Sequence, residues 1–271
     1  MAERPLAGGL ESLSHIMDSI GRREPAFFLD FDGTLAPLVS RPDLAELPST
    51  TRRLLSSLAQ RHLVCIVSGR GLNDLKLKIG LPELYYAADH GHRVLGPPGT
   101  AIDFEVGPDD RHDLEAASYE LDQRLRHIEG AIVETKGVSV SIHYRLVAEQ
   151  ERPAVRKIVG EVARTLPGFR LTSGKLVHEF VPDSDWNKGQ AVMWLMQRLR
   201  LSRRASCPVC IGDDRTDEDM FAAVKGWGLG LVVADVPGDT HADYALGNHE
   251  EVAAFLEEFV TASSYTSPGA G

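Results

Sequence analysis

Apolar positions along the chain follow two rhythms. Short apolar runs at 26–29, 63–67, 85–88, 209–211 and 228–234 alternate with stretches of helical spacing. A short run without polar breaks reads as a strand buried on both faces of a parallel sheet, whereas a helix repeats its apolar residues every three or four positions. The helical stretches are 49–60, 73–79, 188–199, 220–224 and 250–260. In the first of these, Leu54, Leu55 and Leu58 form the inner face and Ser49, Thr50 and Thr51 are expected to cap the start. Strand, helix, strand in that order predicts βαβ units. Leu10, Leu13, Ile16, Met17 and Ile20 add an amphipathic helix near the N-terminus, there to cover the core. The small, polar tail at 261–271 is expected to fray.

Between about 108 and 181 the rhythm changes. A charged helix at 109–127 precedes strands at 131–134 and 138–144, joined by Thr135, Lys136 and Gly137. The second strand alternates apolar and polar, as a sheet with one covered face does. A helix at 152–166 follows, then a hairpin of 170–172 and 176–181 around Ser173, Gly174 and Lys175. The expected organisation is an α/β parallel-sheet domain built from 1–107 and 182–271, with 108–181 inserted as a smaller α/β unit.

Composition narrows the function. The 271 residues carry a net charge of −10. That argues against a nucleic-acid partner, which selects a basic patch or stripe. No apolar run approaches the roughly 20 residues that span a bilayer, so no membrane partner is expected. Residues 1–25 show no apolar core of a secretory leader, and a cytoplasmic location is the expectation. Cys207 and Cys210 form a C-x-x-C. A zinc site would need further ligands, and Cys210 lies in an apolar run, so both read as small buried hydrophobes.

Candidate chemistry gathers where the apolar runs stop. Asp30 closes the first strand and Asp32 follows in a loop opened by Gly33. Two carboxylates this close repel each other, and a hard cation such as Mg²⁺ offsets that repulsion. Ser68 ends the second strand, Lys188 begins a helix, and Asp213 and Asp217 follow the run at 209–211. In open α/β sheets, ligands bind beyond the carboxyl ends of the strands. Taken singly, Ser68 could be a turn residue, Lys188 a surface lysine, and 213–219 an acidic turn capping a helix. Together they supply the parts of phosphoryl transfer: a carboxylate nucleophile, a carboxyl acid/base, a hydroxyl and an ammonium for the phosphate, and carboxylates for a metal.

These four stretches, Asp30-Phe31-Asp32-Gly33-Thr34-Leu35, Ser68-Gly69-Arg70, Lys188, and Gly212-Asp213-Asp214-Arg215-Thr216-Asp217-Glu218, resemble the four motifs of the haloacid dehalogenase (HAD) superfamily. The insert resembles that superfamily's α/β cap of the C2 type. Residues 212–218, 138–145, 175–182 with Asn187-Lys188-Gly189, and Asp89-His90-Gly91 carry a narrower resemblance to the trehalose-6-phosphate phosphatases.

The resemblance implies a HAD-like Rossmannoid core and a Mg²⁺-dependent phosphatase acting on a small sugar phosphate. It implies Asp30 as nucleophile, Asp32 as acid/base, and Ser68 and Lys188 as phosphate holders. Asp30, Asp32 through its carbonyl, and Asp213 would bind the metal, with Asp217 in support. Arg70, His90, Gly91, Lys136, His143, Arg145, Lys175 and Glu179 are the implied substrate contacts. Departures from the pattern are Asp89 where Glu is usual, Asn187 where Asp is usual, and Phe180 where a polar residue would face the sugar. Alternatives left open are another sugar phosphate (sucrose 6-phosphate or a glucosylglycerate phosphate), a phosphomutase, and a non-catalytic sensor. A monomer is expected, a dimer being the alternative.

Overall fold

The computed structural model describes residues 6–39, 41–106, 111–174, 176–234 and 239–262. In chain order the first elements are β1 (Ala7–Gly8), α1 (Leu13–Ile20), β2 (Glu24–Leu29), α2 (Ser49–Ala59), β3 (Leu63–Val67), α3 (Leu72–Ile79), β4 (Tyr85–Ala88), β5 (Arg93–Leu95) and β6 (Asp103–Glu105). Next come α4 (Arg111–Leu125), β7 (Ile132–Thr135), β8 (Val140–His143), α5 (Arg152–Ala163), β9 (Phe169–Gly174) and β10 (Val177–Pro182). The chain closes with α6 (Lys188–Arg198), β11 (Ser206–Gly212), α7 (Glu218–Val224), β12 (Leu229–Val233), β13 (Tyr244–Leu246) and α8 (His249–Ala262).

The chain forms two compact units. The larger takes the described residues of Met1–Gly69, Asn73–Phe104 and Trp186–Gly271; the smaller takes those of Arg70–Leu72 and Glu105–Asp185.

In the larger unit the apolar runs do what their composition requires. Every residue of β11 is buried, as are five of the six in β2. Among the described residues they join a sheet of nine strands in the order β1-β13-β12-β11-β2-β3-β4-β5-β6. The pairings from β1 through β4 are parallel, and β5 turns back antiparallel on β4. The first strand of the motif, β2, lies between β3 and β11, so chain order reverses there. That reversal is the crevice where open α/β sheets place their ligands. Ala191, Val192, Leu195 and Met196 of α6 pack with Phe28, Cys65, Val67, Cys210 and Phe221 in one buried cluster. Cys207 and Cys210 are buried and free, which matches their reading as core residues.

Local details differ from the sequence expectation. Helix α2 starts from Pro48, with no side-chain capping bond, and Ser49 already lies inside it. Its buried residues are Thr51, Leu55 and Leu58, a spacing of four and three, and Leu54 is only half-buried. Helix α1 begins at Leu13, leaving Leu10 outside it. Strands β1, β6 and β13 escape the apolar-run criterion because each is two or three residues long at or near a sheet end.

Among the described residues, the smaller unit is a four-stranded antiparallel sheet, β7-β8-β10-β9, with α4 and α5. Val140 and Ile142 of β8 and Phe180 of β10 pack with Leu121 of α4 and Val155 and Val159 of α5. Phe180 is therefore a core residue, and its odd fit to a sugar-facing position is a consequence of strand alternation. The same alternation turns Ser141, His143 and Glu179 to the opposite face.

Candidate active site

Strand β2 delivers Asp30 at its carboxyl end, where the Asp30 N–H still donates to Ile211 O of β11 at 2.9 Å. The chain then turns back on itself. Gly33 N–H donates to Ala36 O, and Leu35 and Ala36 N–H groups both donate to Phe31 O. Gly33 has φ +86°, and a Cβ there would stand 2.2 Å from Asp213 Oδ2. Glycine is thus required twice, for its backbone angle and for the close approach of Asp213 to the Asp32 loop. Asp32 itself is half-buried.

Strand β11 and the turn after it bring the other acids. Asp217 accepts from the Asp213 and Asp214 N–H groups at 3.0 and 2.9 Å, closing a capping box with Asp214. Asp30, Asp213 and Asp217 each place a carboxylate oxygen within 4.8 Å of the others. Lys188, in the first turn of α6, donates to Asp30 Oδ1 and to Asp217 Oδ1, both at 2.7 Å. The three groups so joined are nearly sealed, at 2% exposure for Lys188, 5% for Asp30 and 0% for Asp217. Asn187 caps the helix by accepting from Gln190 N–H at 2.9 Å, a task Asn and Asp perform equally well.

Three carboxylates share one ammonium, and the acidities respond. Burial pushes the Asp30 carboxyl well above the usual range, opposed by Lys188 and reinforced by Asp217 and Asp213. Asp213 is pushed up to about 7, first by burial and then by Asp217 and Asp214. Burial opposes the charge on Lys188, but Asp217 and Asp30 outweigh it and hold the ammonium above its ordinary value. Asp213 Oδ1 is buried with no hydrogen-bond partner. An orphaned carboxylate oxygen beside two further acids fits a hard cation with oxygen ligands. Both oxygens of Asp217 are already engaged, by Lys188 and by backbone N–H groups, so Asp217 supports the site more than it offers a ligand.

Ser68 directly follows β3, the strand beside β2, and is 1% exposed. Its N–H donates to Ala87 O, and its carbonyl accepts from His90 N–H, both at 2.9 Å. His90 lies over Gly69, where a Cβ would meet its ring at 2.6 Å. Asp89, His90 and Gly91 take positive φ in succession (50°, 55° and 90°), a tight left-handed turn at the end of β4. Asp30, Asp32, Ser68, His90, Gly91, Lys188, Asp213 and Asp217 all belong to the larger unit, and Arg70 to the smaller.

The smaller unit collects the other candidates on the polar face of its sheet. Lys136 Nζ and Ser141 Oγ donate to Glu179 Oε1 at 2.7 and 2.8 Å. His143 Nε2 lies 2.8 Å from Glu134 Oε2. The hydrogen bond from His143 holds the Glu134 carboxyl below its usual range, helped by the charges of Lys136, His143 and Arg70. Buried Arg70 is therefore part of this constellation although it follows Ser68 by two residues. Arg145 is exposed on the turn after β8, and Lys175 lies outside the described residues. Sequence reasoning missed Glu134, Ser139 and Ser141. Pairing makes them legible: Ser141 stands opposite Glu134 on one side and Glu179 on the other, so the three form one cross-strand row.

Comparison with known proteins decides the family. The trehalose-phosphatase family model matches residues 28–248. The chain belongs to the trehalose-phosphatase family. It is 34% identical over 271 residues to the probable trehalose-phosphate phosphatase D of Arabidopsis thaliana, covering 96% of this chain and 73% of that one. It is 37% identical over 262 residues to the trehalose-phosphate phosphatase of Mycobacterium bovis, covering 93% of this chain and 65% of the relative. Among solved structures, the C-terminal domain of the C. albicans trehalose-6-phosphate phosphatase superposes with a TM-score of 0.77 at 22% identity, covering 96% and 99% of the two chains. A haloacid dehalogenase-like hydrolase from Bacteroides thetaiotaomicron superposes at 0.64 with 17% identity, covering 88% and 99%. The fold is HAD-like, as the motif pattern implied.

Proposed function

We infer that the protein is a Mg²⁺-dependent phosphatase that hydrolyses trehalose 6-phosphate to trehalose and inorganic phosphate. The observation that carries the chemistry is the sealed Asp30–Lys188–Asp217 group with the unpartnered Asp213 oxygen beside it. Family membership carries the substrate.

Asp30 attacks phosphorus, forming a carboxyl O–P bond as the bond from phosphorus to the sugar oxygen breaks. Asp32 donates the proton that the leaving sugar oxygen takes up. In the second half Asp32 removes a proton from water, which attacks the same phosphorus and releases the Asp30 carboxylate. Ser68 and Lys188 hold the phosphoryl oxygens, and Lys188 offsets the charge that develops on them. Asp30, the Asp32 carbonyl and Asp213 are the residues to hold Mg²⁺, and bound Mg²⁺ supplies the positive charge that lets carboxylates and a phosphate share one site. Asp217 keeps Lys188 and the Asp213 turn in place.

In this reading 1–107 with 182–271 is the catalytic core, and 108–181 is its cap. Glu134, Lys136, His143, Arg145, Lys175 and Glu179 are the cap's sugar contacts, because sugar hydroxyls need paired donors and acceptors. Arg70, His90 and Gly91 complete the substrate contacts. No helix among the described residues is long and apolar enough to cross a membrane, and the three free thiols fit a reducing compartment, the cytoplasm.

Phosphate release with Mg²⁺ from trehalose 6-phosphate, sucrose 6-phosphate, glucose 6-phosphate and an aryl phosphate tests the reading. The expected result is a strong preference for trehalose 6-phosphate. Activity on the aryl phosphate alone discards the sugar and keeps the core chemistry, and no activity on any of them overturns the reading.

A further inference from the structure

The inserted segment begins after Phe104 and ends before Trp186, and these two residues touch within the larger unit. Their ring centroids are 5.4 Å apart. Phe104 also stacks on Trp194 of α6, at 4.2 Å and 18°. Trp186 does more than pack. Its Nε1–H donates to the carbonyl of Gly91 at 2.8 Å. Gly91 closes the left-handed turn at the end of β4, where three successive residues hold positive φ. Such a turn persists only when its surroundings over-determine it.

The same turn abuts the start of α6. A Cβ on Gly91 would stand 2.6 Å from Ala191 Cβ and 3.2 Å from Asn187 O. Asn187 is the helix cap, Ala191 N–H donates to its carbonyl at 3.0 Å, and Lys188 comes next. Trp186 thus precedes the cap by one residue and Lys188 by two, and it is bonded to the turn the helix rests on. Lys188 must keep its ammonium 2.7 Å from two separate carboxylates, so a small shift of the first turn of α6 breaks one bond or the other.

We propose that Trp186 is a positioning residue for Lys188: its indole clamps the end of the inserted segment to the Gly91 carbonyl and so fixes the first turn of α6. It acts on the reaction through Lys188. The effect on turnover rests on the phosphatase reading; the clamp itself does not.

Trp186→Phe keeps a ring against Phe104 and removes the N–H. A displaced charge-stabilising group slows the chemical step, since catalysis depends on sub-ångström placement. The expected fall in kcat is roughly ten-fold for both the sugar phosphate and an aryl phosphate, with KM within about two-fold. The Ki for vanadate, which mimics the five-coordinate phosphorus, rises by the same factor. Amide hydrogen exchange of residues 188–191, read without any ligand, becomes faster while the melting temperature stays within about 2 °C.

A folded variant with wild-type kcat and vanadate Ki overturns the proposal. So does a lower kcat at unchanged vanadate Ki, which marks a smaller active fraction, and so does unchanged exchange at 188–191. A wild-type protein that cleaves no phosphomonoester and ignores vanadate overturns the phosphatase reading instead, and exchange alone then decides the clamp. Should Trp186→Phe fail to fold, Phe104→Leu keeps the indole N–H while loosening the ring contacts, and the same readouts must shift in the same direction.

Discussion

Both units bind a lysine to a carboxylate at 2.7 Å, and the two pairs are built for different ends. In the larger unit one ammonium serves Asp30 and Asp217, with Asp213 close by, and both pairs are sealed from solvent. In the smaller unit Lys136 faces Glu179, His143 faces Glu134, and hydroxyls of Ser139 and Ser141 fill in around them. The first group carries excess negative charge that a bound cation relieves. The second is close to balanced and rich in donors and acceptors. Unbalanced buried charge stores the capacity for chemistry, whereas balanced polar surface recognises without reacting.

The largest effect expected from breaking that contrast is the loss of the nucleophile. Asp30→Asn leaves the size and much of the hydrogen bonding intact, yet turnover should fall by about 10⁴-fold or more, measured as phosphate released. Substantial residual activity removes Asp30 from the mechanism. Next in size is Lys188→Met. It leaves two carboxylates buried without their ammonium, which costs about 3–5 kcal/mol of stability in denaturant titration. Lys136→Met, on a pair 10% and 13% exposed, should cost only about 1–3 kcal/mol. Equal losses at the two lysines would erase the distinction between the units.

Metal addition sharpens the same point. Mg²⁺ at about 100 times its dissociation constant should stabilise the protein by roughly 2.7 kcal/mol. Asp213→Asn should abolish most of that gain, since it neutralises the acid with the unpartnered oxygen. Glu179→Gln should leave the gain intact. On the smaller unit the expected loss is one of selectivity: Glu179→Gln lowers kcat/KM for the sugar phosphate roughly 10–100-fold and leaves the aryl phosphate within about two-fold. Equal losses on both substrates would move Glu179 from sugar recognition into the chemistry.

The asymmetry between the units also explains what could be read from the chain. The parallel core was legible because both faces of its strands are buried, which writes unbroken apolar runs at β2, β3 and β11. Its acids were legible because they sit where those runs stop. The recognition face was only partly legible, because its residues are set by register between strands distant in sequence. His143 and Glu179 stood out only through the resemblance to the family's motifs. Glu134 and Ser141 did not, since their role depends on pairing across β7, β8 and β10. Trp186 was invisible for a similar reason: its partner carbonyl is 95 residues away. The cap of α2 was misplaced because three consecutive hydroxyl residues offer equivalent candidates, and the chain puts the cap at Pro48, one residue before all of them.

The smallest effect separates the units by pH. His178 lies on the covered side of the smaller sheet, stacked on Tyr144 at 4.8 Å and 22°. Its Nδ1 is 2.9 Å from Ser173 Oγ, and its Nε2 is buried with no hydrogen-bond partner. Burial, with the charge of Arg156, holds its pKa below the ordinary value of 6.5. The folded ring therefore resists protonation, whereas the unfolded chain takes up the proton near pH 6.5. Below that pH the unfolded state binds more protons, so stability contributed at neutral pH is lost as pH falls through 6.5 toward the depressed folded value. His178→Phe keeps the ring stack and has nothing to protonate. The difference in unfolding free energy between wild type and His178→Phe should be flat above about pH 7 and shift toward the variant as pH falls to 5. A constant difference across that range would mean that the folded protein accommodates the charged ring as readily as water does.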